Sequence, residues 1–280
     1  MTTSSTAATT TETRSVETSI ALPARPERVW QALTQAQELM RWFPPLARVR
    51  PGVGGSIFMS WDGSYEGESG IQLWEPPRRL RTAWVTGESV PGSDAAPALV
   101  VDYALESDSG GGTILRLVHS GFGRDAAWDG MYDSVSRGWH FELRCLRHYL
   151  AHHDGRDRLH AWARMPVRID RASAWRKLTG AKGLNAPADF DRLREGDRYA
   201  ITTATGDTLR GTVIDNVPQC QFAGTVEGFG GGVVRFHLEP QCDGVGDYVG
   251  VWLASWDARP QELVDFKHRW TRQLESLFRE

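Results

Sequence analysis

The chain has 280 residues, of which 40% are hydrophobic and 24% are charged, as in globular proteins with one large domain or two of ordinary size. Its formal net charge of -3 provides no basic excess, so we expect binding neither to nucleic acid phosphates nor to an anionic membrane surface. No run of about 18 apolar residues is present, so we also expect no membrane span.

The start of the chain and its cysteines favour a cytoplasmic protein. Residues 1–14 are rich in Ser and Thr and lack the apolar segment of a secretory signal, so we predict a disordered tail. Cys145, Cys220 and Cys242 are far apart and odd in number. They predict reduced thiols, because they form neither a disulfide framework nor a CxxC metal site.

The first half of the chain predicts a strand, two short helices, five further strands and a long helix. A strand is predicted over 16–22, a helix from Pro26, and a second helix over 37–42 that ends before Pro44. The next strands, marked by apolar alternation, are predicted over 56–61, 65–74, 80–85, 99–105 and 113–120. Near residues 126–150, apolar residues then recur every three or four positions, which predicts one long amphipathic helix.

Three landmarks of the first half return in the same order in the second. The pattern WxxLTxAxxL begins at Trp30 and again at Trp175. A glycine triplet follows in each half, at 110–112 and at 230–232, and WxxxLxxL then begins at Trp139 and at Trp270. This order predicts two copies of one structural unit, with the second long helix near residues 261–278.

The order of elements predicts an α+β fold with two tandem domains, over 15–153 and 158–280. An antiparallel sheet with one apolar face must be covered, and the long helix at the end of each copy is suited to cover it. A β-barrel would leave the long helices unexplained, and a parallel sheet would need helices between its strands.

The predicted order resembles the START-like (SRPBCC), or helix-grip, superfamily. The first copy also resembles the family of the activator of Hsp90 ATPase homologue (AHSA1-like) in several segments, at 26–33, 41–43, 74–80, 119–123 and 138–139. The second copy keeps the architecture but has Asn216-Val217-Pro218-Gln219 where the first has its Pro76-Pro77-Arg78-Arg79-Leu80 turn. It is therefore similar to the superfamily in general form, as a divergent copy.

The resemblance implies a sheet around the long helix with a cavity between them that holds a small hydrophobic or aromatic molecule. Two alternatives stay open, namely a polyketide-type cyclase or aromatase acting on such a molecule, and a co-chaperone-like protein that binds a protein partner. Because the second copy is divergent, we expect the first to bind the ligand and the second to support it.

One histidine and five aromatic residues are candidates for the site. His119 has the strand parity of Leu115 and Leu117, so it is predicted to face the interior, as a general acid or base or as a packed histidine. Its counterpart His237 is predicted to face solvent. The predicted cavity lining, which would equally suit a packed core, consists of Trp61, Trp84, Tyr103, Tyr132 and Trp139.

We predict neither a metal nor a cofactor. His148 and His152 are four residues apart and would share one side of a helix, as a metal pair requires, but no acidic or cysteine partner is evident. The glycines of residues 52–55 precede a predicted strand rather than a helix, so they form a turn and not a phosphate-binding loop. No P-loop or dinucleotide-binding motif occurs in its proper context.

Overall fold

A computed structural model describes residues 13–63, 65–84, 98–241 and 246–279. The predicted tail therefore lies outside the described residues up to position 12, and Cys242 lies outside them as well. Among the described helices, none is long and apolar enough to cross a membrane.

The first domain is a seven-stranded antiparallel sheet with two short helices and one long one. The helices are α1 (Pro26–Thr34), α2 (Ala36–Met40) and α3 (Asp129–His152). The strands are β1 (Thr13–Leu22), β2 (Leu46–Arg50), β3 (Ser56–Trp61), β4 (Tyr65–Glu75), β5 (Arg79–Trp84), β6 (Val100–Ser107) and β7 (Thr113–Gly123). They lie in the order β1-β7-β6-β5-β4-β3-β2, so the sheet has two free edges and is not closed.

The second domain repeats this plan with six strands, one short helix and one long one. Its helices are α4 (Arg171–Thr179) and α5 (Pro260–Phe278). Its strands are β8 (Leu159–Val167), β9 (Arg198–Thr202), β10 (Thr208–Val217), β11 (Gln221–Val226), β12 (Gly232–Pro240) and β13 (Asp247–Ser255). Their order is β8-β13-β12-β11-β10-β9, which confirms the predicted α+β architecture of two tandem units.

The two domains correspond strand for strand, except that the second has no equivalent of β2. Thr34 and Thr179, in the shared WxxLT pattern, each donate a side-chain hydrogen bond to the carbonyl oxygen of the tryptophan four residues earlier. The glycine triplets are not equivalent, although the sequence suggests it. Gly110–Gly112 lie directly before β7, the second strand of its sheet, whereas Gly230–Gly232 lie at the start of β12, the third strand of its sheet.

Helix α3 packs against both sheets, an arrangement that the sequence did not predict. One face covers the first sheet with Leu143 and Leu146, which are buried. The opposite face lies on the second sheet, where the Arg137 guanidinium donates to the Leu238 carbonyl oxygen at 3.0 Å and Arg235 lies over the Phe141 ring at 4.8 Å. The second sheet is therefore buried on both faces, between α3 and α5.

The prediction that His237 faces solvent is wrong, because α3 covers the face of β12 on which it lies. The side chain is 2% exposed, and its ring occupies the space above Gly250 in the neighbouring strand. A Cβ atom at Gly250 would lie 2.3 Å from His237 Nε2, so a larger residue there would force this buried ring to shift.

We therefore expect Gly250→Ala to lower the free energy of unfolding by roughly 1–3 kcal/mol through overpacking. Urea denaturation measures this value, and His237→Ala, which removes the ring, provides the second arm of a double-mutant cycle. The Gly250→Ala penalty should be much smaller in the His237→Ala background. An equal penalty in both backgrounds would contradict the clash.

Candidate ligand-binding site

Four of the five predicted lining residues meet around His119 inside the first domain. Trp139 of α3 lies edge-on to Tyr103 of β6, with ring centroids 6.0 Å apart, and 6.2 Å from the His119 ring. Trp84, at the end of β5, stacks on His119 at 6.3 Å. Trp61, at the end of β3, joins this aromatic cluster through the Phe43 ring, whose centroid is 5.3 Å from the Trp61 and Trp139 rings.

Three aromatic residues of this cluster, Phe43, Tyr65 and Phe122, were missing from the sequence-based set, and the Phe122 ring lies 4.8 Å from His119. Phe43 links Trp61 to the helix, and Tyr65 lies between Trp61 and Trp84, with ring centroids 5.6 and 5.7 Å from them. Tyr65 pairs with Trp61 across the β3–β4 hairpin, so the pairing of two adjacent predicted strands was the signal that could have identified it. Phe43 gave no such signal, because it follows α2 in a loop.

Tyr132 lies apart from this cluster, on the first turns of α3. Its hydroxyl donates to the Ser15 carbonyl oxygen at 3.1 Å, and the Arg14 guanidinium lies 4.2 Å from its ring centroid. It meets the buried Phe122 edge-on at 5.5 Å, and Phe122 in turn lies 4.8 Å from His119. Tyr132 thus fastens α3 to β1 and is linked to His119 only through Phe122, so its role in the lining stays a prediction.

The burial of His119 and one hydrogen bond define its protonation state. The residue is 2% exposed, and desolvation lowers the pKa of its imidazole from 6.5 to about 4, so the ring is neutral at neutral pH. Trp139 Nε1 donates to His119 Nδ1 at 3.0 Å. The ring proton must therefore be on Nε2, and this buried donor has no hydrogen-bond partner among the described residues.

Two histidines near the end of α3, His148 and His153, lie at the junction of the two domains. His148 Nε2 lies 2.7 Å and His153 Nε2 3.2 Å from the Gly231 carbonyl oxygen in the turn before β12. The His153 ring stacks on Trp256 of the second domain, with centroids 4.4 Å apart. Nowhere in the described ranges do three or more His, Cys, Asp or Glu side chains form a group that could hold a metal.

An open cleft of about 840 Å³ lies beside this junction, between the end of α3 and strand β10. Three of its charged side chains are paired with one another, because Glu195 receives hydrogen bonds from Arg144 at 2.7 Å and from Arg147 across the cleft, and Asp108 accepts from the Gly110 and Gly112 N–H groups. Paired charges already satisfy each other, so this cleft offers a ligand less than the unpartnered donor of His119 does.

Comparison with known proteins connects the first domain to a family and the whole chain to two-domain structures. Residues 23–151 match the model of the Activator of Hsp90 ATPase homolog 1-like protein family. None of the curated proteins matches the chain. A solved Mesorhizobium loti structure is 26% identical, with a TM-score of 0.44, over 49% of this chain and 97% of its own.

Two solved structures extend along nearly the whole length. The di-domain ARO/CYC protein BexL from the BE-7585A biosynthetic pathway is 13% identical, with a TM-score of 0.45, over 94% of this chain and 95% of its own. DynU16, from the dynemicin biosynthetic locus, is 17% identical, with a TM-score of 0.41, over 94% of this chain and 97% of its own. The first domain is thus similar to the Activator of Hsp90 ATPase homolog 1-like family over residues 23–151, and the second domain repeats the strand order of the first without an equivalent of β2.

Proposed function

We propose that the first domain binds a small, planar, hydrophobic molecule that carries an oxygen able to accept a hydrogen bond. The observation that supports this most strongly is the His119 Nε2–H group, a buried donor without a partner. A buried donor left unpaired costs roughly 1–3 kcal/mol, so a ligand oxygen that accepts this hydrogen bond would recover that energy. Carbonyl and phenol oxygens are suitable acceptors.

The aromatic cluster supplies the surface for the rest of the ligand. Trp61 and Trp84 are only partly buried, and Tyr65 is 39% exposed, so their rings border the outer end of the cluster. The Trp84 ring lies over Gly67, where an added Cβ would be 3.6 Å from the indole. Faces of this kind favour a flat apolar molecule by stacking and by burial of apolar area.

The protonation state of His119 favours binding over proton transfer. A general base needs a free lone pair, but the only ring lone pair of His119 already accepts the Trp139 hydrogen bond. The cyclase or aromatase alternative would therefore need a base other than His119 in this state.

The co-chaperone alternative lacks a suitable surface among the described residues. The large apolar side chains that are exposed there lie on five different strands, turns or helices, at Leu46, Val53, Tyr65, Leu159 and Val264. Scattered apolar residues are ordinary on protein surfaces, whereas a partner site would present a contiguous patch.

Isothermal titration calorimetry of the full chain with 2-acetylnaphthalene tests the proposal. His119→Asn keeps an acceptor for Trp139 but removes the Nε2–H donor, so we expect it to weaken binding about tenfold, as the loss of one hydrogen bond does. 2-Ethylnaphthalene has no oxygen and provides the control, because its affinity should be the same for both proteins. Failure of the wild-type chain to bind 2-acetylnaphthalene, or equal binding by the variant, would contradict the proposal.

A further inference from the structure

The second domain lies directly against the outer end of the aromatic cluster. His160 of β8 lies 3.2 Å from the Asp62 carboxylate in the turn after Trp61. Two residues earlier, Arg158 donates from Nη2 to the Phe43 carbonyl oxygen at 2.9 Å. One end of β8 is therefore fixed to the same two parts of the first domain that hold Phe43 and Trp61.

Strand β8 presents a second set of aromatic and cationic groups on this face. His160, Trp162 and Arg164 alternate with buried alanines that belong to the core of the second domain. Trp162 pairs with Trp252 of β13, and their ring centroids are 5.7 Å apart. Both tryptophans pack against the core of the first domain rather than that of the second.

Two hydrogen-bond donors on this face have no partner among the described residues. Arg158 Nε and Trp162 Nε1 are both buried, and neither makes a hydrogen bond. Within the described ranges, Arg158 also forms no ion pair with a carboxylate. The Arg158 guanidinium is compensated in part by the Trp252 ring, 5.7 Å away, and by the nearby Glu142 carboxyl, but its Nε remains a buried donor that can bind a further acceptor.

Helix α3 contributes a carboxyl group and open space at the same junction. The Glu142 side chain is half-buried, and its carboxyl group interacts electrostatically with Arg158. Burial nevertheless raises the pKa of this carboxyl to about 8, so that it is mainly protonated at neutral pH. One turn earlier, a Cβ added at Gly138 would meet no atom within 4 Å, which shows unfilled space beside the helix.

We propose that the second domain completes the ligand site, with Arg158, Trp162 and Glu142 binding a second oxygen of the ligand at the domain junction. This inference rests on the proposed function of the first domain. Phe43 and Trp61 lie between the two ends of the site. The Phe43 ring contacts Trp139 and its carbonyl accepts from Arg158, while Trp61 packs on Phe43 and is followed by Asp62, which contacts His160.

The groups at this junction define the chemical class of the ligand. The unpartnered Arg158 Nε and Trp162 Nε1 are hydrogen-bond donors, and so is His119 Nε2–H at the first-domain end of the site. The protonated Glu142 carboxyl can donate as well. The rings between them select a flat, apolar framework. The ligand class is therefore a planar aromatic molecule with carbonyl or phenol oxygens at two separated positions.

The experiment compares 2,6-diacetylnaphthalene, with a carbonyl at each end, with 2-acetylnaphthalene, which has one. By calorimetry we expect the full chain to bind the diacetyl compound about tenfold more tightly than 2-acetylnaphthalene. Trp162→Phe, which keeps an aromatic ring and loses Nε1–H, should reduce this preference. Trp270→Phe is the matched control, because Trp270 Nε1 is likewise buried and unpartnered but lies in the separate core of the second domain. That variant should keep the preference.

The protonation of Glu142 gives a second readout that does not require a change of Trp162. Arg158 and Arg235 favour the ionised carboxylate, whereas Glu239 opposes it, and the nearby Cys145 thiol stays protonated because burial raises its pKa. We expect the preference for the diacetyl compound to fall as the pH rises from 7 to 9, since an ionised carboxylate repels the ligand oxygen. Glu142→Gln should bind without this pH dependence.

The outcomes separate the two proposals. If 2-acetylnaphthalene binds and depends on His119, but the second carbonyl adds nothing and Trp162→Phe changes nothing, the composite site is wrong and the first-domain site stands. If Trp270→Phe removes the preference instead, the second oxygen binds within the second domain, and the composite site is again wrong. If neither compound binds, both proposals fail.

Discussion

Replacement of Trp256 by alanine is expected to lower the free energy of unfolding by about 3–5 kcal/mol, as truncation of a buried aromatic side chain does. Trp256 lies after β13 and is 7% exposed. Its ring stacks on His153 of the first domain at 4.4 Å, and its Nε1 donates to the Arg41 carbonyl oxygen at 2.9 Å. The residue thus connects the second domain to α2 and to the end of α3 at once.

The mode of unfolding should change together with its free energy. Because the buried faces of α3 couple the two domains, we expect the wild-type chain to unfold in one transition and Trp256→Ala in two. Urea denaturation followed by fluorescence and circular dichroism measures both quantities. Trp256→Phe keeps a stacked ring and loses the hydrogen bond, so it should cost only about 1 kcal/mol. A loss below about 1 kcal/mol in Trp256→Ala, with one transition, would contradict this role.

The sequence predicted the elements of each domain better than the contacts between them. Strand β3 (Ser56–Trp61) has the predicted bounds, and both long helices lie where the apolar periodicity placed them. Strand β2 (Leu46–Arg50) was missed, because it is a short edge strand with an arginine at two of its five positions. Periodicity identifies an element that buries one apolar face, and an exposed edge strand shows little of it.

The polar residues between the domains explain most of what could not be predicted. Arg235 and His237 alternate along β12 with buried apolar residues, a pattern that ordinarily indicates a solvent-facing side. That side is instead covered by α3, and Arg235 there donates to Gln221 Oε1 at 2.9 Å. Local sequence does not distinguish a charged group in water from one buried in an interface, and for this reason Glu142 and Arg158 were also missed.

His119 illustrates both what strand parity can predict and what it cannot. Alternation along β7 predicted that this side chain faces the interior, and the side chain is buried there. The direction of its hydrogen bond was beyond prediction, since the donor, Trp139, is 20 residues away on the long helix. That one contact decides which ring nitrogen carries the proton.

Several histidines of the chain share a depressed pKa, which makes the folded state sensitive to acid. Burial lowers the pKa from 6.5 to about 4 for His119 and His148, and to about 3 for His237. In the unfolded chain these imidazoles return to their ordinary pKa of about 6.5. At pH values between the folded-state pKa and 6.5, the unfolded chain therefore binds more protons than the folded chain. Stability contributed by such a group is complete above pH 6.5 and is lost as the pH falls towards 4.

We therefore expect the free energy of unfolding to fall steeply between pH 6.5 and 4. His119 alone should account for roughly 3 kcal/mol of this loss, since each unit of pKa difference corresponds to about 1.4 kcal/mol. Urea denaturation at pH 7.5, 5.5 and 4.5 measures the slope. His119→Asn cannot titrate in this range but keeps an acceptor for Trp139, so its slope should be shallower than that of the wild-type chain. The comparison of the two slopes is decisive, because an imidazole that is buried and neutral in the folded chain takes up a proton only when the chain unfolds. Equal slopes for the two proteins would show that His119 is already charged or exposed in the folded state, and the donor assigned to its Nε2 would then lose its basis.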